Sequence, residues 1–226
     1  MAVLIETDIG EFVIDLYYEE FPKPCLNFLT LCKAKFSFLF SLTHFYGLFY
    51  APSRRYYHGC LLFNVQQNYL FQTGDPTGTG EGGMSCWGKL HEKRLSSSSP
   101  NEKRFFSAPI PRDLKFTKAG MVGFASHGQI GGSSSLFGSQ FFVTLRSDEL
   151  SHLNDKNAPF GEVSEGDEVL AKINALYVDE GGRPYQDVRI LHTHVLDDPF
   201  EEGGERAEEG EEVAELISPP PLSPLT

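Results

Sequence analysis

Alternation of apolar and polar positions runs through most of this chain, with two stretches of helical period set into it. Val3 to Leu16 reads as a hairpin: Phe12, Ile14 and Leu16 alternate with Val13 and Asp15, and Gly10 lies in the turn. Glu19 to Pro24 breaks the strand, and Pro24 suits the first turn of a helix running to about Lys33. Cys25, Phe28, Leu29 and Cys32 fall on one face of that helix, which marks both cysteines as core. Tyr56 to Gln72 reads as two strands parted at Gln66-Gln67-Asn68, with the Gly-rich loop Thr73 to Gly83 after them. Gly120 to Ala125 and Gly138 to Leu145 are further strands, on either side of the small-residue stretch Gly128 to Ser135. Ser164 is placed to cap a second helix with Asp167 at N3, and Val169, Leu170, Ile173 and Leu176 form its inner stripe. In the last strand Val188, Ile190, His192, His194 and Leu196 face away from Arg189, Leu191, Thr193 and Val195. Many short strands with two helices predict a mainly β fold, a closed barrel capped by helices.

The same period sorts chemistry onto faces. Along Gly138 to Thr144, Gln140, Phe142 and Thr144 share one face, and Ser139, Phe141 and Val143 the other. Leu70 and Gln72 share a face in the same way. Two faces that each pair a glutamine with an apolar wall suit a groove that holds an apolar side chain and hydrogen-bonds the peptide around it. The plainer reading is two barrel strands whose glutamines are satisfied internally. Spacing alone leaves both open.

Composition narrows the classes. A chain of 226 residues with 40% hydrophobic content has room for one large domain with a sizeable core. Residues 201 to 226 hold eight Glu and one Arg, so this tail carries −7 of the net −12 and the other 200 residues carry −5. An acidic body disfavours a nucleic-acid surface, because neutralising phosphates takes clustered Lys and Arg. Cys25, Cys32, Cys60 and Cys86 form no CxxC pair and read as reduced thiols. Residues 36–55 stand apart. Phe36 to Tyr50 has no formal charge, yet its 15 residues fall short of a bilayer-spanning helix, which needs ~18–20.

Several motifs carry less than their spelling suggests. Gly78 to Gly83 fits G-x-G-x-x-G, but Met84-Ser85-Cys86-Trp87-Gly88 is a poor helix start, and a dinucleotide site needs a helix there. His192 and His194 share a strand face without a third ligand in view, so no metal is expected. Ser133-Ser134-Ser135 lacks the flanks of a nucleophile elbow. What remains is chemistry that needs only a groove, donors and apolar walls. Rotation about an Xaa-Pro bond is such a reaction. Its barrier of ~18–20 kcal/mol comes from amide resonance. An enzyme can lower it by holding the ring and donating a hydrogen bond to the prolyl nitrogen in the twisted state. No acid, base, metal or cofactor is required.

Four stretches, in order, resemble the cyclophilin-type peptidyl-prolyl isomerases: Phe71 to Gly80, Gly120 to Ala125, Gly138 to Phe142 and Phe160 to Val163. The likeness covers most of residues 1–198, and its two ends are similar to nuclear members that carry an RNA-recognition domain after the isomerase domain. It implies an eight-stranded antiparallel barrel closed by two helices, with the substrate groove on its outside. It also implies an isomerase domain over residues 1–200, with 36–55 as an atypical apolar insertion, while composition reads 201–226 as an acidic, Pro-rich disordered tail. By position, Gln72, Gln140, Leu70, Phe142, Leu153 and Ala125 match groove residues of the family. Tyr69 stands where a phenylalanine is usual, and Ser126, beside His127, where an asparagine is usual. The groove arginine aligns with Asn64, the rim tryptophan with His152 and the pocket histidine with Asn157.

A neutral donor at Asn64 in place of a charged one costs of order 1–2 kcal/mol, about five- to thirtyfold in rate. The resemblance therefore implies a weak isomerase acting on proline-containing peptides and proteins. The alternative is a non-catalytic proline-motif adaptor in nuclear ribonucleoprotein complexes. A monomer is expected, without membrane or direct nucleic-acid binding, in the nucleus by resemblance or else in the cytoplasm.

Overall fold

The computed structural model describes residues 1–36, 54–94, 104–130, 134–154 and 156–198. Most of the apolar segment (37–53), the Ser96 to Asn101 loop and the acidic tail lie outside them.

The first hairpin is β1 (Ala2–Thr7) and β2 (Gly10–Leu16), with Ile5 opposite Phe12. Helix α1 (Pro22–Lys33) begins two residues before the position expected from Pro24, with Pro22 in its first turn. Its buried face includes Cys25, Phe28, Leu29 and Cys32. Two short strands, β3 (Lys35–Phe36) and β4 (Arg54–Arg55), pair at the flanks of the apolar segment. Then come β5 (Phe63–Gln66) and β6 (Leu70–Thr73).

Helix α2 (Cys86–Arg94) corrects the reading of Met84 to Gly88 as a poor helix start. Ser85 supplies the start signal: its hydroxyl accepts the Gly88 N–H at 3.1 Å. Asn27 Oδ1, on α1, accepts the Cys86 N–H at 2.8 Å. Tertiary partners thus satisfy orphan donors of a segment with weak helix propensity.

Strand β7 (Phe106–Pro109) precedes two long strands, β8 (Met121–Ile130) and β9 (Ser134–Thr144). They take up most of the small-residue stretch at Gly128 to Ser135. Short α3 (Ser151–Asn154), β10 (Pro159–Glu165), α4 (Asp167–Asn174) and β11 (Ile190–Val195) complete the chain. Helix α4 starts at Gly166, in the left-handed region at φ 102°, without a side-chain cap, so Ser164 is not its cap. A Cβ at Gly166 would lie 2.5 Å from that of Phe12, so close packing on β2 sets the helix entry.

Eight strands form one antiparallel path, β11-β1-β2-β10-β8-β9-β6-β5, with β7 added along β9. Backbone bonds bring the two ends together. Gly59 N–H donates to Ile190 O at 2.8 Å, Ile190 N–H to Cys60 O at 2.9 Å and Leu62 N–H to Val188 O at 2.8 Å. The enclosed core is aromatic: Phe28 meets Phe141 edge-on at 5.3 Å, and Phe124 stacks on Phe160 at 4.4 Å. All four cysteines are buried free thiols.

Two strands depart from simple alternation. In β11 the register against β1 shifts between Thr7, opposite Ile190, and Glu6, opposite His192. Leu191 is the extra residue, and beyond it the faces exchange. Thr193 is buried, whereas His192 and His194 are exposed, which corrects the face assigned to this strand from Ile190 onward. The second irregularity lies in β5, at the groove described next.

Candidate functional site

Strand β9 places Phe141 and Val143 in the enclosed core and Phe142 outside it. Phe142 belongs to a second, smaller apolar cluster with Leu70, Phe116, Met121 and Leu150, against which Tyr17, Tyr69 and Leu153 pack. This cluster supports a groove of about 520 Å³ on the outer face of the sheet. The backbone of Gly123 makes the packing possible. A Cβ there would lie 2.6 Å from Phe116 Cζ and 2.8 Å from Phe142 Cζ.

The groove brings together Asn64, Tyr69, Leu70, Gln72, Ala125, Ser126, Phe142, Leu153 and Asn157. It leaves out three residues expected there. Gln140 is 1% exposed and lies behind Gln72. His127 stacks on Phe105, ring centroids 4.3 Å apart. His152 stacks on Tyr69 at 5.5 Å and shares a 2.6 Å hydrogen bond with its hydroxyl. Gln66, Gln129 and Lys156 also line the groove, and sequence reasoning missed them. The sequence reads Gln66 as part of a strand break, Gln129 lies at the end of β8 in a small-residue stretch without alternation, and Lys156 lies in the turn after α3.

A directed chain of amides crosses the floor. Gln66 Nε2 donates to Asn64 Oδ1 at 2.9 Å, and Asn64 Nδ2 to Gln72 Oε1 at 3.2 Å. Gln72 Nε2 donates to Gln140 Oε1 at 2.7 Å. Gln140 Nε2 ends the chain on the carbonyls of Gly80 and Gly82, at 2.8 and 2.9 Å. Both hydrogens of Gln140 are therefore committed, so the plainer reading of an internally satisfied glutamine describes Gln140. Among the described residues, Gln72 and Asn64 each keep a second amide hydrogen for the groove.

The chain is anchored by Asp75, which the sequence did not single out. Its carboxylate is fully buried and accepts from the N–H groups of Thr77, Gly80 and Gly82 at 2.8, 2.7 and 3.1 Å. Burial pushes its pKa up, but the bonds from Thr77, Gly82 and Gly80 outweigh it and hold the carboxyl below its ordinary value. The amides that a phosphate would need in Gly78 to Gly83 are thus occupied by an internal anion, which removes the basis for nucleotide binding there.

Asn64 owes its position to the β5 irregularity. Phe63 faces Gln72 and Gln66 faces Leu70, so β5 carries one more residue than β6 over that interval. Asn64 sits in the bulge at φ 49°, a left-handed conformation that asparagine adopts at low cost. Opposite it, Asn157 is 7% exposed, and its Oδ1 has no hydrogen-bond partner among the described residues. Among the described residues no carboxylate lines the groove, and Lys156 is its one cation. Burial, and then the charge of Arg104, push the His127 pKa below the ordinary imidazole value.

The sequence pattern of the cyclophilin type peptidyl-prolyl cis-trans isomerase/CLD family matches residues 2–195. The chain belongs to the cyclophilin-type peptidyl-prolyl isomerase family. The Homo sapiens protein named peptidyl-prolyl cis-trans isomerase-like 4 is 43% identical over 203 residues, covering 89% of this chain and 34% of its own length. The Arabidopsis thaliana peptidyl-prolyl cis-trans isomerase CYP59 is 42% identical over 208 residues, covering 92% of this chain and 34% of its own. The chain thus spans about a third of the length of these relatives. A crystal structure of a Cryptosporidium parvum cyclophilin type isomerase shares the fold with a TM-score of 0.65 and 26% identity, over 88% of this chain and 98% of the other. A second structure of that protein, determined in the presence of the dipeptide Ala-Pro, is similar at TM-score 0.65 and 25% identity, over 88% of this chain and all of the other. Among the described residues of this cyclophilin, no group of three or more His, Cys, Asp or Glu could hold a metal ion. No described helix is long and apolar enough to cross a membrane.

Proposed function

We propose that this chain catalyses cis–trans isomerisation of Xaa-Pro bonds in peptides and proteins, assisting their folding, with the groove above Phe142 as its site. The observation that carries the reading is the pairing of an apolar bed with free amide donors at its edge. Leu70, Phe142 and Leu153 receive the proline ring. Gln72, held by Gln140, presents one amide hydrogen to the backbone of the substrate. Asn64 presents its own toward the twisted amide, where a hydrogen bond to the prolyl nitrogen lowers the barrier only in the transition state. Asn157 Oδ1, buried without a partner among the described residues, is an acceptor that a substrate N–H meets. Tyr69, braced by His152, closes one side, and Ala125 and Ser126 the other. Gln140 acts by positioning Gln72, and His127 by packing on Phe105.

Turnover is weak on this reading, because Asn64 offers a neutral donor and Lys156, the cation of the groove, comes from the segment after α3. The Asn64 departure also supports a second reading: an adaptor that binds proline motifs with little turnover, in nuclear ribonucleoprotein assemblies of the kind suggested by the likeness at the chain ends. One protein sample decides between them. Residue-resolved shifts on adding an Ala-Pro peptide report binding, and the exchange rate of the same peptide reports catalysis. Shifts at Leu70, Gln72 and Phe142 with accelerated exchange support the isomerase. Shifts without acceleration support the adaptor, and shifts elsewhere overturn the site.

A further inference from the structure

Asn64 and Gln66 line a second groove as well as the first. It encloses about 530 Å³ on the other side of the β5 bulge, against the turn that runs from Tyr177 to Gly182 after α4. That turn is built as a firm wall. Asp179 N–H donates to Arg183 O at 2.8 Å, and Asp179 Oδ1 accepts the N–H groups of Gly181 and Arg183 at 2.9 and 2.8 Å. Val65 N–H donates to Gly182 O at 2.7 Å, which fastens the turn to β5 directly behind Asn64. At Gly182, φ is 74° and an added Cβ would lie 3.2 Å from Asn64 Cα, so a side chain there would push the wall off the bulge.

The chemistry of this second groove differs from that of the first. Asp179 and Glu180 line it, and no Lys or Arg does among the described residues. Asp179 is engaged in the turn, whereas Glu180 is exposed and forms no ion pair among the described residues. Tyr177 stands at the rim with 85% of its surface exposed, a large aromatic ring that packs against no core.

We propose that this groove continues the peptide site and receives an arginine or lysine side chain lying within a few residues of the substrate proline. The inference rests on the peptide reading of the first groove and adds a substrate class to it. Continuity carries it, since a chain that leaves the first groove past Asn64 enters the second. Charge carries it further. Two carboxylates in a groove that no Lys or Arg lines among the described residues favour a basic side chain, and the Tyr177 ring offers a guanidinium a face to lie on. An acidic side chain is repelled from the same place.

The test uses the full chain and three fluorescent peptides that share an Ala-Pro core and carry arginine, alanine or glutamate at the flanking positions on either side. Anisotropy should rank them arginine, alanine, glutamate, with the arginine peptide bound about three- to tenfold tighter than the alanine peptide. The preference should shrink as salt is raised. The double variant Glu180→Lys with Tyr177→Ala should abolish or invert the order while the alanine peptide still binds, because neither residue lines the first groove. Equal affinity for all three peptides, or an order that survives the double variant, overturns the proposal. Failure of every peptide to bind overturns the peptide reading of the first groove, and this inference falls with it.

Discussion

Replacing Asn64 by arginine should raise turnover and lower stability together. The gain comes from the donor: hydrogen bonds to charged groups contribute about 1.5–3 kcal/mol, against roughly 0.5–1.5 kcal/mol for neutral ones. If the Asn64 hydrogen bond forms only to the twisted amide, the difference of about 1–2 kcal/mol appears in full in the barrier, a rate increase of about five- to thirtyfold. The loss comes from the backbone. Residue 64 lies at φ 49°, where asparagine is tolerated and most L residues cost roughly 1–2 kcal/mol. Gln66 Nε2 also loses its 2.9 Å acceptor, but Gln66 is exposed and water replaces it at small cost. Urea unfolding should therefore show Asn64→Arg destabilised by about 1–2 kcal/mol. Exchange spectroscopy on an Ala-Pro peptide should show it several-fold faster. Ordinary damage would move both readouts in the same direction, so opposite signs are diagnostic. A variant that folds and binds peptide with an unchanged or slower rate would refute the role given to Asn64.

Other substitutions test the amide chain and the buried groups. Gln140→Ala removes the two bonds to Gly80 and Gly82 and the acceptor of Gln72, and should cost roughly 2–4 kcal/mol in unfolding experiments; acceleration that survives it would exclude Gln140 from positioning Gln72. Asn157→Leu removes an acceptor that has no partner among the described residues, and should raise the melting temperature by about 2–4 °C while weakening peptide binding; unchanged binding would release Asn157 from substrate recognition. Stability should fall in two stages on acidification. The folded-state pKa of His127 is lowered, so its contribution is present above the ordinary imidazole value and is lost as pH falls through that value toward the folded one. Asp75, also lowered, follows below the ordinary carboxylate range. His127→Phe, which keeps a ring against Phe105, should remove the first stage alone in a pH series of urea midpoints, and a first stage that persists would place it in another group.

Periodicity made legible the elements whose alternation or helical stripe is unbroken. The first hairpin, the buried face of α1, the inner stripe of α4 and the outward Phe142 of β9 all follow from residue spacing. Where one residue is inserted, spacing misleads, because a bulge exchanges the faces beyond it. This happened at Leu191 in β11, and the bulge that turns Asn64 into the groove was equally invisible. Helix α2 escaped because the local cap at Ser85 is only part of its start, and the rest comes from Asn27, far away in sequence. Asp75 falls in the Gly-rich loop Thr73 to Gly83, and nothing local shows that the loop folds back to bury it. Gln140 was visible as a residue of the groove face, but its saturation by Gly80 and Gly82 required the folded loop.

The central claim is that the groove above Phe142 turns Xaa-Pro bonds. Exchange spectroscopy on a single Ala-Pro peptide, with a catalytic amount of this chain, tests it most directly. The uncatalysed bond turns over in tens to hundreds of seconds. The account predicts cis–trans exchange faster than that, lost on Gln72→Ala in a variant that remains folded. Exchange at the uncatalysed rate with the intact protein, or acceleration untouched by Gln72→Ala, would contradict it.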